Sequence, residues 1–264
     1  MSSAPFLFLS PSLPSELLTY ILNHHIYPTT LIICSPRLEF LTALADDVHQ
    51  ATAHPEEVVP VEKDVKTPLA ETEPSATDTT REQTPRQQHR LLSSPLYQVA
   101  ISRHIRVVYI PTVTHLRSYL TVFSPDDSKI PASPATFNAS GKYSPSIVLY
   151  GFLDIHRDTS EWSAQGLGNS ASALVELGNR LSWQTIIVEP RRHNSVSSLD
   201  AILKETIPFL SGGGRKPAPD SEEGGWTGRT VEVGRVMKRW ICFENGEWDE
   251  NSHEDKGKAP GNEA

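Results

Sequence analysis

The sequence predicts an α/β layered fold built on a mostly parallel sheet. Three observations carry that expectation. The runs TTLIIC, IRVVYI, SIVLYG and WQTIIVEP are apolar almost throughout, as strands buried on both faces should be. Segments with helical spacing of apolar residues separate one run from the next. Unstructured composition is confined to a few blocks, so the ordered remainder can share one core.

Taken in order, SELLTYILNHH (15–25) follows a proline and predicts a helix with Ser15 as N-cap and Leu17, Leu18, Ile21 and Leu22 on one face. Thr30–Cys34 reads as a strand, and Leu38, Leu41, Leu44, Ala45 and Val48 give the following helix an apolar stripe. Residues 53–90 are rich in Pro, Glu and Thr, lack aromatics and show no period, which predicts a disordered insertion. Order resumes with a short helix (93–104), the strand 105–110 and a second short helix (114–123). A Ser/Pro/Asp-rich flexible loop at 124–145 leads to the strand 146–151, the long helix 163–182 and the strand 183–190. After a Gly-rich loop at 211–225, the stretch RTVEVGRVMKRWICFE (229–244) is β-rich, with Gly234 read as a bulge and antiparallel edge pairing expected. Residues 1–244 thus form one domain, and 245–264 a disordered charged tail.

Composition narrows the functional classes. Hydrophobic residues make up 38% and prolines outnumber glycines 21 to 15, so the core cannot extend over all 264 residues. A net charge of −8 argues against a generally basic nucleic-acid binder while leaving room for local basic patches. FLFL (6–9) is short, lacks a basic flank and ends at Ser10-Pro11; it is read as neither a signal peptide nor a membrane span. No membrane association is expected. Cys34 and Cys242 lie in apolar runs and read as buried, reduced thiols rather than a disulfide or a zinc site.

Few residues offer chemistry. Ser35-Pro36-Arg37 follows a strand and opens a helix, where a phosphate loop would need glycines and a lysine. Neither is present, and the turn reads as a plain strand-to-helix junction with proline at its first helical position. Asp154 and His156, in FLDIHRD, fall just beyond a strand end, the place where open α/β sheets bind ligands. A metal-ligand role for Asp154 and a base role for His156 define an alternative, a small hydrolase-like enzyme; a turn or cap role is the simpler reading. No nucleophile constellation accompanies them, and the adjacent His24 and His25 point to different faces. No catalytic residue, metal or cofactor is therefore assigned. Arg191 and Arg192 directly follow a strand, and Lys238 and Arg239 stand among Arg229, Arg235, Trp226, Trp240 and Phe243. Basic residues interleaved with aromatics suit a single-strand DNA binder, whereas edge-strand Lys and Arg that merely discourage aggregation account for the same pattern.

The segment SIVLY, then EWSAQGLGNSASALVELGNRLSWQTIIVEP, resembles RecA-type recombinase paralogues, in which a Walker B strand precedes a Ser-Ala-x-Gln helix start and another buried strand. Ser163-Ala164-Gln165 and Thr185–Glu189 occupy the matching places, with TTLIICS read as the Walker A strand. The Gly-x-x-x-x-Gly-Lys signature is absent, and the strand SIVLYG ends at Tyr150-Gly151 where an acidic metal ligand is expected. The resemblance therefore implies a degenerate RecA-like fold without ATPase chemistry, similar to the small subunits of Shu-type complexes. It further implies a nuclear accessory role in homologous-recombination repair, with another recombinase paralogue or a SWIM-domain protein as partner. Single-stranded DNA would be contacted through Arg191, Arg192, Lys238 and Arg239. A third possibility is an α/β scaffold unrelated to DNA.

Overall fold

The computed structural model describes residues 6–24, 27–53, 89, 91–93, 95–132, 145–191, 198–210 and 229–252. The expected insertion at 53–90 and the Gly-rich loop at 211–225 fall almost wholly outside the described residues, as does the far part of the 124–145 loop. The strands are β1 (Phe6–Ser12), β2 (Thr29–Ile33), β3 (Ile105–Tyr109), β4 (Ser146–Tyr150), β5 (Gln184–Pro190), β6 (Thr206–Pro208), β7 (Thr230–Glu232) and β8 (Cys242–Glu244). The helices are α1 (Pro14–His24), α2 (Arg37–Ala53), α3 (Leu96–Ser102), α4 (Val113–Val122), α5 (Ala164–Leu181), α6 (Leu199–Leu203) and α7 (Val233–Met237).

Six strands form one parallel sheet in the order β3-β2-β4-β5-β1-β8. The fold is α/β and consistent with a RecA-like architecture. Alternation along the strands divides the core in two. Phe8, Ile32, Ile147, Leu149 and Ile187 face α4 and α5 through Leu116, Leu120, Leu167 and Leu174. Leu7, Leu9, Leu31, Ile33, Val148 and Val188 face α1 and α2 through Leu17, Ile21 and Phe40. Helices thus cover both sheet faces, which is why the strands are apolar at nearly every position. Close approach matters at Gly178 of α5, where a Cβ would stand 2.7 Å from the Phe6 ring and 2.8 Å from Thr185 Cγ2.

Several expectations are corrected. FLFLSPS, assigned no element from the sequence, is strand β1, inserted between β5 and β8. Ser15 is not the N-cap of α1, because the Leu17 N–H bonds to the Leu13 carbonyl at 3.0 Å and so makes Leu13 the cap, with Pro14 at the first helical position. The antiparallel pairing expected at the C-terminal edge is the separate β6/β7 sheet, and the edge strand β8 runs parallel to β1. Gly234 is no bulge; it lies in α7, where a Cβ would stand 3.0 Å from Leu203, so the tight α6–α7 contact favours the smallest residue. Cys242 is exposed on β8, while Cys34 is buried as expected. The first residues of the expected loose tail are packed: the Gly246 N–H donates to Ser10 Oγ at 2.8 Å, and Trp248 Nε1–H to the Pro11 carbonyl at 3.0 Å. Among the described residues no helix is long and apolar enough to cross a membrane.

Candidate functional site

Two concave regions stand out. The first is a cleft of about 390 Å³ at the carboxyl ends of the strands, lined by Cys34, Ser35, Tyr150, Gly151, Asp154, Arg157 and Arg191 among others. Gly151 ends β4 with φ +85°, a conformation that favours glycine, and turns the chain into Phe152–Arg157. Behind this turn Glu189 is 2% exposed and accepts the Leu153 N–H at 2.7 Å and the Asp154 N–H at 3.4 Å. Burial pushes its carboxyl up to about 8, with the neighbouring Asp154 carboxylate adding to the effect and the two N–H groups opposing it.

His156 is fully buried and both ring nitrogens are engaged. Its Nδ1–H donates to the Phe152 carbonyl at 2.7 Å, which leaves Nε2 to accept the Ser170 hydroxyl at 2.8 Å. Ser170 Oγ in turn accepts from Arg117 Nε at 2.9 Å, and Arg117 pairs with Glu161 at 2.6 Å. Burial holds His156 down to about 4, against the raising effect of its Phe152 hydrogen bond. This imidazole therefore pins the turn to α5 as a neutral ring, which contradicts its assignment as an accessible base. Asp154 does line the cleft, but it pairs with Arg157 at 3.1 Å, and Arg157 also pairs with Glu205 at 2.8 Å.

The three described basic positions do not converge. Arg191 lies at the carboxyl end of the sheet, on the cleft, where it forms ion pairs with Glu16 of α1 and, at 3.8 Å, Asp249. Arg192 lies outside the described residues. Lys238 and Arg239 are exposed just before β8, and because β8 is parallel to β1 they mark the opposite, amino end of the sheet. Arg239 rests over the Trp240 ring at 5.3 Å. Among the described residues no group of three or more His, Cys, Asp or Glu side chains is placed to hold a metal ion.

The second region is an apolar groove of about 580 Å³ between α1, α2, α3 and the edge strand β3. Leu41, Leu92, Val99 and Val107 line it while remaining 41%, 59%, 43% and 44% exposed. The stripe predicted for α2 supplies Leu41, Leu44, Ala45 and Val48 to this groove, and of the four only Leu44 also packs against the core; Leu38 is 78% exposed, and Phe40 and Asp47 are the buried positions among the described side chains of α2. Periodicity had located the stripe correctly but not what it faces. Glu189 and Asp47 carried no signal in the sequence beyond being acids next to apolar residues.

No protein-family model and no curated protein matches the chain.

Proposed function

We propose that the chain is a non-catalytic, RecA-like binding subunit that assists homologous-recombination DNA repair in the nucleus, with another recombinase paralogue or a SWIM-domain protein as its partner. The observation that carries the binding role is the apolar groove. A contiguous surface containing Leu41, Leu92, Val99 and Val107 is costly to leave in water and is typical of a protein contact. The recombination assignment rests on the resemblance of SIVLY and EWSAQGLGNSASALVELGNRLSWQTIIVEP described above.

Strand β1 shifts the register of that resemblance by one. With β1 counted first, the turn equivalent to a phosphate loop becomes SPSLPS (10–15) instead of Ser35-Pro36-Arg37, and neither stretch contains glycine or lysine. Calorimetric titration with Mg·ATP should accordingly give no saturable heat; a micromolar isotherm would show that a nucleotide site persists.

A DNA phosphate at Arg191 would compete with Glu16 and Asp249, which already pair with its guanidinium. Arg191→Ala should lower the melting temperature by a few degrees, in keeping with a loss of about 1 kcal/mol, and leave the salt slope of single-strand binding by the assembled complex unchanged. Charge removal at Lys238 and Arg239 should reduce that slope by roughly 0.7 per lost phosphate contact. A slope that responds to Arg191 alone would reverse the assignment.

Capture of the tagged chain from its native cells, with identification of stoichiometric partners, tests the function. A recombinase paralogue or SWIM-domain protein supports it. A stoichiometric enzyme complex of another pathway, or no partner, counts against it.

A further inference from the structure

Arg106 is the exception among the half-buried arginines of the described residues. Arg117, Arg157 and Arg191 each pair with a carboxylate. Arg106 pairs with none among the described residues, and its Nη1 is buried without a hydrogen-bond partner. The residue stands on the edge strand β3, in register with the buried Thr30 of β2. Its guanidinium lies on the α4 face, 5.7 Å from the centre of the Tyr119 ring and 5.5 Å from that of Phe123. Aromatic faces attract a cation, but they neutralise no charge. A guanidinium withdrawn from water in this way calls for an anion.

A cavity of about 10 Å³ adjoins Arg106 at the amino end of the sheet, lined by Arg106, Thr30, Ser128, Phe123 and Trp183 among others. No Asp or Glu lines it. We propose that this cavity is a site for one small monovalent anion, chloride or bromide, held by the Arg106 guanidinium. Size and chemistry both select that class. The cavity has room for about one occupant of water size, which excludes phosphate and sulfate. A water molecule would accept the Nη1 hydrogen bond but leave the guanidinium charge uncompensated, whereas a halide does both. Hydroxyls supply further donors. Ser128 Oγ accepts the Ile130 N–H at 3.3 Å, so its own O–H is left to donate to the anion. The site lies at the opposite end of the sheet from the 390 Å³ cleft, and on the opposite face of β3 from Val107 and the apolar groove. It is therefore independent of the groove's partner and of the recombination reading.

Thermal melting of the full chain in sodium chloride and in sodium gluconate at matched ionic strength provides the test, gluconate being too large for the cavity. The parent should melt roughly 2–4 °C higher in chloride, saturably, as expected for a ligand bound only by the folded state. Bromide should act as chloride does. Arg106→Gln keeps an N–H donor without the charge; it reports what the salts do to the rest of the chain and should show no chloride gain. If Arg106→Gln does not fold, Ser128→Asp carries the test. It places a carboxylate in the cavity lining, where it competes with the added anion, and should melt alike in both salts. A parent that melts at the same temperature in chloride and gluconate overturns the proposal. So does a chloride gain as large in the folded variant as in the parent, which would place the binding elsewhere.

Discussion

Replacing His156 with alanine should cost about 3–5 kcal/mol, the largest single-site loss expected among the residues at the strand ends. The ring is fully buried, and its removal leaves the Phe152 carbonyl without its donor and the Ser170 hydroxyl without its acceptor. It also leaves a void beside the Phe152 ring, whose centroid is 5.0 Å away. In a chain of this size the melting temperature should fall by on the order of 10 °C. Ser170→Ala removes a single hydroxyl from the same network and should cost only about 1–2 kcal/mol. Urea denaturation of both variants checks the order. A His156→Ala midpoint equal to the parent's would mean that the ring is not part of the frame.

Glu189→Gln should change how stability depends on pH. A carboxyl raised from 4.5 to about 8 in the folded state contributes stability that is fully present below about 4.5 and lost as pH rises toward 8. His156 acts in the opposite sense: a folded value lowered from 6.5 to about 4 gives stability present above 6.5 and lost as pH falls toward 4. The two slopes cancel between about 4.5 and 6.5, so the parent should show a plateau there and then lose about 2 kcal/mol by pH 8. Glu189→Gln removes the alkaline limb. Its stability should stay level from pH 6.5 to 8 and decline below 6.5 with the His156 limb alone. Melting curves across this range decide the matter, and a parent that is equally stable at pH 6.5 and 8 would remove Glu189 from the account.

The fold was legible in the sequence because burial on both sheet faces leaves a plain mark: TTLII and SIVLY are apolar at nearly every position, and no exposed loop needs to be. FLFLSPS escaped because a proline and two serines follow four apolar residues, and Pro11 is tolerated only because the register to β5 shifts between Leu9 and Ser12. VEVGRVMKRW reads as strand from its valines, yet Val233 and Met237 are spaced four apart and both are buried, which is the spacing of a single helical turn. The candidate site was less legible for a related reason. Arg191, Asp154 and His156 were visible as residues of the right type at strand ends, but whether each is free or already satisfied depends on Glu16, Arg157 and Ser170, partners distant in sequence or indistinct from other surface charges. The groove has the same character, since a helical stripe gives its direction and not its neighbour.

If the chain holds a protein partner against the groove, charges placed in the groove should release that partner in a paired capture. The tagged parent and the double variant Val99→Asp, Val107→Asp should be isolated side by side from native cells, with circular dichroism confirming that both are folded. Both valines line the groove at 43% and 44% exposure, so the charges can be hydrated in the free chain and stranded only when a partner covers them. A recombinase paralogue or SWIM-domain protein should accompany the parent, with at least a tenfold loss of it from the folded double variant. Equal recovery of the partner by both proteins would contradict a partner held in the groove.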